Sequence, residues 1–300
     1  MSMSRRASAV VHEAGLFRVA LGAYLFYYYA TLIPDFFVYF GPSSMIAPGL
    51  LPPPRLSPLF LIWHPAPLLA ALAALLVLLG LFTVGIQPKR LLIPLWLLHL
   101  SFHHANPLII HEPQQLANLF LLCCFFLPID SGPALLSAAD PTPLARRQEQ
   151  AAPIIRLLLI ALAVYYAVSG LKKLPDPLWR SGSALWYLLQ WPPFGKPNAV
   201  TALLLAHPTL AVVFTYGTLA FELSVPFLLF TRRRPLLLLA GVVFHGLIAL
   251  TMEVGGFMPI MLVWYALALD ARTRAHYAEW INRMGWSGPG RSGPRRVRTA

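Results

Sequence analysis

Eight apolar segments fill most of this 300-residue chain, at about residues 14–33, 67–86, 91–108, 114–128, 153–171, 209–230, 235–253 and 255–269. A helix that crosses a bilayer needs about 20 residues, with about 17–25 the usual range. Six segments meet that length; the fourth and eighth are short. Charged residues make up 11% of the chain and hydrophobic residues 58%, whereas a soluble globule carries about 25% charged residues. Too little polar surface remains to face water. The expected fold is all-α, a polytopic membrane helical bundle of about eight transmembrane helices. Its 29 prolines and 19 glycines suit helices that start, stop and kink inside a packed bundle.

Basic residues orient such a bundle, because loops on the cytoplasmic side collect Lys and Arg. Arg5 and Arg6 precede the first segment, and the connection 34–66 holds only Arg55. Then come Lys89 and Arg90, a loop near 109–113 with no Lys or Arg, and Arg146 and Arg147. The loop Lys172 to Lys196 follows, then Arg232 to Arg234, a tight turn with none, and an Arg-rich tail. With eight helices, each of the five segments assigned to the cytoplasm carries a basic cluster, and both termini are cytoplasmic. The implied domains are a basic N-terminal segment 1–13, a transmembrane domain 14–270, and a basic, partly disordered cytoplasmic tail 271–300. Ser287 to Ala300, rich in Gly, Pro and Arg, reads as disordered. Anionic membrane lipids are its expected partner, and nucleic acid is not, because no aromatic or fold signature accompanies the arginines. The first segment lacks a small-residue cleavage site and reads as a retained helix. Cys123 and Cys124, adjacent within an apolar run, form neither a thiol redox motif nor a zinc spacing and read as buried bystanders.

One outward loop breaks the charge pattern. Residues 172–208 carry Lys172, Lys173, Arg180 and Lys196 together with Trp179, Trp186 and Trp191. The bland reading is an interfacial anchor lying along the outer surface, dipping in through Ala184 to Gln190, with tryptophans at headgroup level and snorkelling lysines. The sharper reading is that basic residues held on the side that normally avoids them serve chemistry.

Ionisable groups at membrane depth are costly and therefore informative. Glu222 lies in the sixth segment, His245 in the seventh, and His99, His103 and His104 in the third. His99 and His103 share a helix face, with His104 one step round. Each histidine has a structural reading as a hydrogen-bonding strut between helices. Glu222 is expected to be neutral, bonded to a facing backbone or histidine, and Arg18 to snorkel to the cytoplasmic surface and pair with Glu13. Glu112 and His111 sit at the outer turn. His99-x-x-x-His103-His104 looks like a histidine box of membrane di-iron desaturases, yet the remaining histidines supply no second box. A bis-histidine haem between the third and seventh segments has no independent support. No metal is expected. A proton-coupled transporter using Glu222 and His245 needs a water-filled path, and no internal repeat supports one.

The stretch Tyr165-Tyr166-Ala167-Val168-Ser169-Gly170-Leu171-Lys172-Lys173-Leu174, followed by Trp179-Arg180-Ser181-Gly182 and Ala184-Leu185-Trp186-Tyr187-Leu188, resembles the membrane domain of vitamin K-dependent gamma-carboxylase. That domain is shared with the bacterial horizontally transferred transmembrane (HTTM) proteins. Leu16 to Gly22, Phe126-Leu127-Pro128, Phe244-His245-Gly246 and Gly255 to Met258 agree in order, and the similarity covers about residues 10–270. The resemblance implies that Lys173 is the base that deprotonates a quinol, with His103 or His104 assisting. It places Lys172, Trp179, His99, His245 and Glu222 around the cofactor. Such a lysine must give up its proton near ambient pH, which partial burial and a neighbouring cation, here Lys172, both favour.

The implied cofactor is vitamin K hydroquinone or another quinol, and the implied activity, if any, that of a quinol-dependent carboxylase-like lyase at an outward-facing site. The animal enzyme continues into a soluble lumenal region, so a partner protein would supply that part here. The alternative is a non-catalytic membrane scaffold or a lipid- or quinone-binding subunit. The expected location is a bacterial inner membrane, as a multi-pass protein.

Overall fold

A computed structural model describes residues 3–45, 57–106, 112–130 and 144–283. The described residues are all-α; their only extended pairing is an isolated bridge between Gly195 and Met252. Eight helices overlap the eight apolar segments: α1 (Met3–Thr31), α3 (Pro65–Val84), α4 (Pro88–Ala105), α5 (Glu112–Cys124), α6 (Leu144–Lys173), α10 (Pro208–Leu228), α11 (Arg234–Thr251) and α12 (Phe257–Ala268). Of these, α3, α6, α10 and α11 are long and apolar enough to cross a membrane, and α12 is apolar but shorter. Five short or amphipathic α-helices, α2 (Phe36–Tyr39), α7 (Pro177–Arg180), α8 (Ala184–Gln190), α9 (Ala199–Ala206) and α13 (Ala271–Arg283), and a 3-10 helix, Pro58–Ile62, complete the described chain.

Proline marks where the long helices begin. It stands in the first turn of α3, α4, α10 and α11, where its missing N–H costs nothing. Gly85 ends α3 in the left-handed conformation, φ 85°, and its N–H returns to Leu81 O at 3.0 Å, an ending that glycine adopts without strain. In the core α1 packs against α3, α6 and α12. Phe17, Phe120 and Trp264 form an edge-on aromatic column with centroids 5.3 Å apart at each step. Trp264 Nε1 donates to Leu158 O at 2.9 Å, so the polar end of a fully buried indole is satisfied.

Arg18 departs from its expected position. It is fully buried rather than snorkelling, and its guanidinium donates to Ile129 O at 2.8 Å in the turn after α5, within the field of Asp130. The Ile129 carbonyl and the nearby Asp130 give the cation partners inside the bundle, while Lys89 takes the Cys124 and Phe125 carbonyls where α5 ends. Glu13 faces Arg274 of α13, at 3.7 Å, and not Arg18. That helix was not expected either: Ala271–Arg283 is polar overall, and only its amphipathic pattern distinguishes it from a charged tail. The expected disorder of Ser287 to Ala300 falls outside the described residues, as do Arg55 and His111.

The loop 172–208 folds into the short helices α7, α8 and α9, with α8 spanning the Ala184 to Gln190 stretch. Asp176 caps α7 by accepting from Leu178 N at 2.8 Å, and Asn198 caps α9 by accepting from Val200 N and Thr201 N at 3.0 Å. Ala184 and Leu189 of α8 and Thr201 and Leu204 of α9 are buried. Leu185 N donates to Thr215 Oγ1 of α10 at 3.2 Å, and Tyr216 OH donates to Arg180 O at 2.7 Å. Gly182, φ 78°, sits where a Cβ would lie 2.9 Å from Tyr216 and Val212. Both its backbone conformation and its contact with α10 therefore demand glycine.

Candidate functional site

Helix α6 ends at Lys173, while its antiparallel neighbour α10 continues well beyond it. Glu222 lies about 21 Å along α10 from Pro208 at 1.5 Å per residue. The two helices approach closely because Gly170 presents no side chain: a Cβ there would lie 2.8 Å from Leu223 Cδ2 and 3.4 Å from Glu222 Cβ. One turn further on, Lys173 reaches across. Its Nζ lies 2.7 Å from Glu222 Oε1, 2.6 Å from Glu222 Oε2 and 2.7 Å from Ser169 Oγ. Ser169 in turn donates to Glu222 Oε1 at 3.2 Å. An ammonium has three N–H donors, and all three are engaged. The Trp179 ring covers the same Nζ at 5.1 Å, a cation–π contact that the α6–α7 turn creates.

The residues that the sequence placed around Lys173 separate into groups. Lys173, Glu222 and Trp179 come together in the wall of one cavity of about 760 Å³, with Ser169, Tyr165, Phe244 and Phe257. Lys172 is exposed while Lys173 is partly buried, because successive helical residues point about 100° apart. The charge beside Lys173 is thus the Glu222 carboxylate rather than the Lys172 ammonium. Glu222 likewise departs from the expected backbone or histidine partner: it is bonded to Lys173 and Ser169.

The histidines sit elsewhere. His245 Nε2 pairs with Tyr166 OH at 2.5 Å, and Tyr166 OH also meets Tyr265 OH at 2.5 Å, tying α6, α11 and α12 together. His99 Nδ1 pairs with Tyr29 OH at 2.8 Å, tying α4 to α1. The His103 ring lies between those of His99, 6.2 Å away, and His104, 5.7 Å away. The lining of the 760 Å³ cavity includes no histidine among the described residues. Each of His99 and His245 is held by its own tyrosine, the arrangement of a strut between helices. No group of three or more His, Cys, Asp or Glu side chains with metal-binding geometry forms among the described residues.

Three site residues escaped the sequence reading in this role. Ser169 stands four residues before Lys173, the spacing that stacks side chains on one helix face, so that signal was available. Glu112 and Glu253, from α5 and the α11–α12 turn, join the cavity wall only through tertiary packing. Glu112 is hydrogen-bonded to Tyr165, and Glu253 pairs with Lys196 at 3.3 Å. Lys196 Nζ also donates to Ala249 O at 2.9 Å, capping the free carbonyls of α11.

The cavity does not stop at its polar end. Leu185, Thr218, Phe244, Ile248 and Met252 also line a second space of about 590 Å³, an almost wholly apolar groove along α10 and α11 beneath α9. Phe221 and Phe244 stack across that seam with centroids 4.6 Å apart. Four helices long and apolar enough to cross a bilayer define an integral membrane protein, and its charged centre opens onto a long apolar groove. A family model for the HTTM domain matches residues 114–272, and the chain belongs to the HTTM family. No curated protein and no solved structure matches it significantly. The matched span contains α5, α6, α10 to α12 and the three short helices, hence the whole Lys173–Glu222 centre.

Proposed function

We propose that the protein binds a lipid-soluble quinol, with its ring at the Lys173–Glu222 pair and its tail in the groove along α10 and α11, and that the pair takes the first proton from the quinol. One observation carries this reading: a charged pair in a cavity wall that continues into an apolar groove. The cavity suits a polar ring and the groove a hydrocarbon tail.

The geometry also assigns roles within the pair. The ammonium hydrogens of Lys173 are all engaged, whereas the Glu222 carboxylate keeps one lone pair free, on Oε2. The quinol O–H bond breaks, its proton passes to a Glu222 oxygen, and the Lys173 ammonium balances the quinolate left behind. The base implied for Lys173 by resemblance is then shared with the carboxylate that holds it. A carboxylase-like lyase would build on that proton transfer. The second reading is a quinone- or lipid-binding subunit without turnover, favoured by the fully engaged donors of Lys173. Oxygen uptake with added quinol separates the two.

The proposal requires the Lys173 end of α6 to face outward, in a plasma membrane with both termini inside. In a Cys123→Ala/Cys124→Ala background, Ser181→Cys is expected to react with a membrane-impermeant maleimide on intact cells, and Arg233→Cys only after permeabilisation. Both positions are exposed. The reverse pattern would place the site on the cytoplasmic side.

The chemistry as proposed needs no metal. Elemental analysis of the purified protein is expected to find neither iron nor zinc in stoichiometric amount. A stoichiometric metal lost on His103→Ala would transfer the chemistry to α4.

A further inference from the structure

At the other end of α6, about 26 Å along the helix from Lys173, a separate groove of about 350 Å³ opens between α1, α6, α11 and the α12–α13 junction. Its apolar wall includes Ile155, Leu159, Phe230 and Leu267, and its polar groups are Glu13, Arg156, Arg234 and Asp270. Two of these are spoken for. Arg234 donates to Asp270 Oδ2 at 2.8 Å and to Leu229 O at 2.6 Å, and Asp270 Oδ1 accepts from Thr273 N at 2.8 Å.

The other two are incomplete, and their charges are opposite. Arg156 is exposed, on a helix otherwise apolar at that level, and makes no hydrogen bond or ion pair among the described residues. Glu13 is 3% exposed, and its Oε1 has no hydrogen-bond partner. The Arg274 guanidinium stands 3.7 Å from that oxygen, too far for a hydrogen bond. Burial pushes this carboxyl, just ahead of the first apolar segment, up to about 8, with Arg274 only partly opposing. A further cation beside it would hold it ionised.

We infer that this groove is a binding site for a zwitterionic aminophospholipid, whose phosphate pairs with Arg156, whose ammonium pairs with the Glu13 side chain in the groove lining, and whose acyl chain lies along the apolar wall. A purely anionic lipid would satisfy Arg156 and bring no cation to Glu13. A soluble phosphoethanolamine would satisfy both charges and leave the apolar wall empty. A phosphatidylethanolamine matches every incomplete feature.

The test uses the full-length protein, delipidated and exchanged into mixed micelles, with retained lipid read by native mass spectrometry. Palmitoyl-oleoyl phosphatidylethanolamine and phosphatidylglycerol are offered in equal amounts. Wild type is expected to retain the first over the second by about fivefold. Glu13→Gln, nearly isosteric, is expected to bring that ratio to about one. Arg156→Ala is expected to lower retention of both lipids about tenfold. Arg272→Ala, an exposed charge on α13, controls for net charge and is expected to change neither quantity. Soluble phosphoethanolamine at millimolar concentration is expected to displace little of the bound lipid. A ratio that Glu13→Gln leaves unchanged, losses equal for Arg156→Ala and Arg272→Ala, or full displacement by soluble phosphoethanolamine would each overturn the assignment.

Discussion

Lys173→Ala is expected to abolish quinol-dependent oxygen uptake by the reconstituted protein, whereas Lys172→Ala, one residue away and exposed, is expected to retain most of it. Glu222 makes the difference between the two lysines. Its side chain is 8% exposed and that of Lys173 is 21% exposed, so neither charge is fully solvated. Removing one partner of a buried pair leaves the other uncompensated and typically costs about 3–5 kcal/mol. With Lys173 partly exposed, the low end, about 3 kcal/mol, applies. Lost activity in Lys173→Ala could therefore reflect lost stability. The double variant Lys173→Met/Glu222→Met separates the two, because it removes both charges and restores apolar packing. Its melting temperature in detergent is expected to recover most of the single variant's loss while uptake stays absent. Glu222→Gln keeps shape and hydrogen bonding, and is expected to bind quinone but to lose proton transfer. Uptake persisting in the double variant would eliminate the pair as the reacting centre. Equal, mild effects of Lys172→Ala and Lys173→Ala would return the loop to a lipid anchor.

The helical bundle was legible because each long helix is a continuous apolar run, and a run of that length in a chain so poor in charge has one use. Lys173 and Trp179 were legible as a pair because they are close in sequence and share one motif. Glu222, almost fifty residues further on, was marked as an ionisable group at membrane depth and expected to be neutral, but its partner was not readable. That partner depends on which helix α10 faces, and periodicity along a uniformly apolar helix does not say. The same reason hid Glu112 and Glu253. Arg18 was misplaced because a sequence shows depth along a helix but not the carbonyls that another segment offers there. The amphipathic α13 was missed because its polar composition resembles that of the tail behind it.

Gly170→Val is expected to disable the site without touching a charged residue. The Lys173–Glu222 contacts, at 2.6 and 2.7 Å, exist only because α6 and α10 approach closely at Gly170. A single Cβ there would already press on Leu223 Cδ2 at 2.8 Å and Leu223 Cγ at 3.0 Å. Alanine is expected to be tolerated at modest cost, since the end of a leucine side chain can rotate away. Valine adds two γ-carbons on a stiff branch, and Glu222 Cβ at 3.4 Å leaves them no room on the other side. Overpacking of this kind costs about 1–3 kcal/mol. The relief available is for α10 to move outward, which lengthens the ion pair beyond hydrogen-bonding distance. Thermal melting is expected to fall moderately and quinol retention to fall with it, more steeply than stability alone accounts for. Leu223→Ala in the same chain removes the side chain that valine strikes. The double variant Gly170→Val/Leu223→Ala is expected to regain quinol retention, a coupling that independent sites would not show. If Gly170→Val binds quinol as wild type does, the close approach of α6 and α10 is not what holds Lys173 on Glu222. If Leu223→Ala fails to rescue it, glycine serves the backbone at this position and not the contact between the helices.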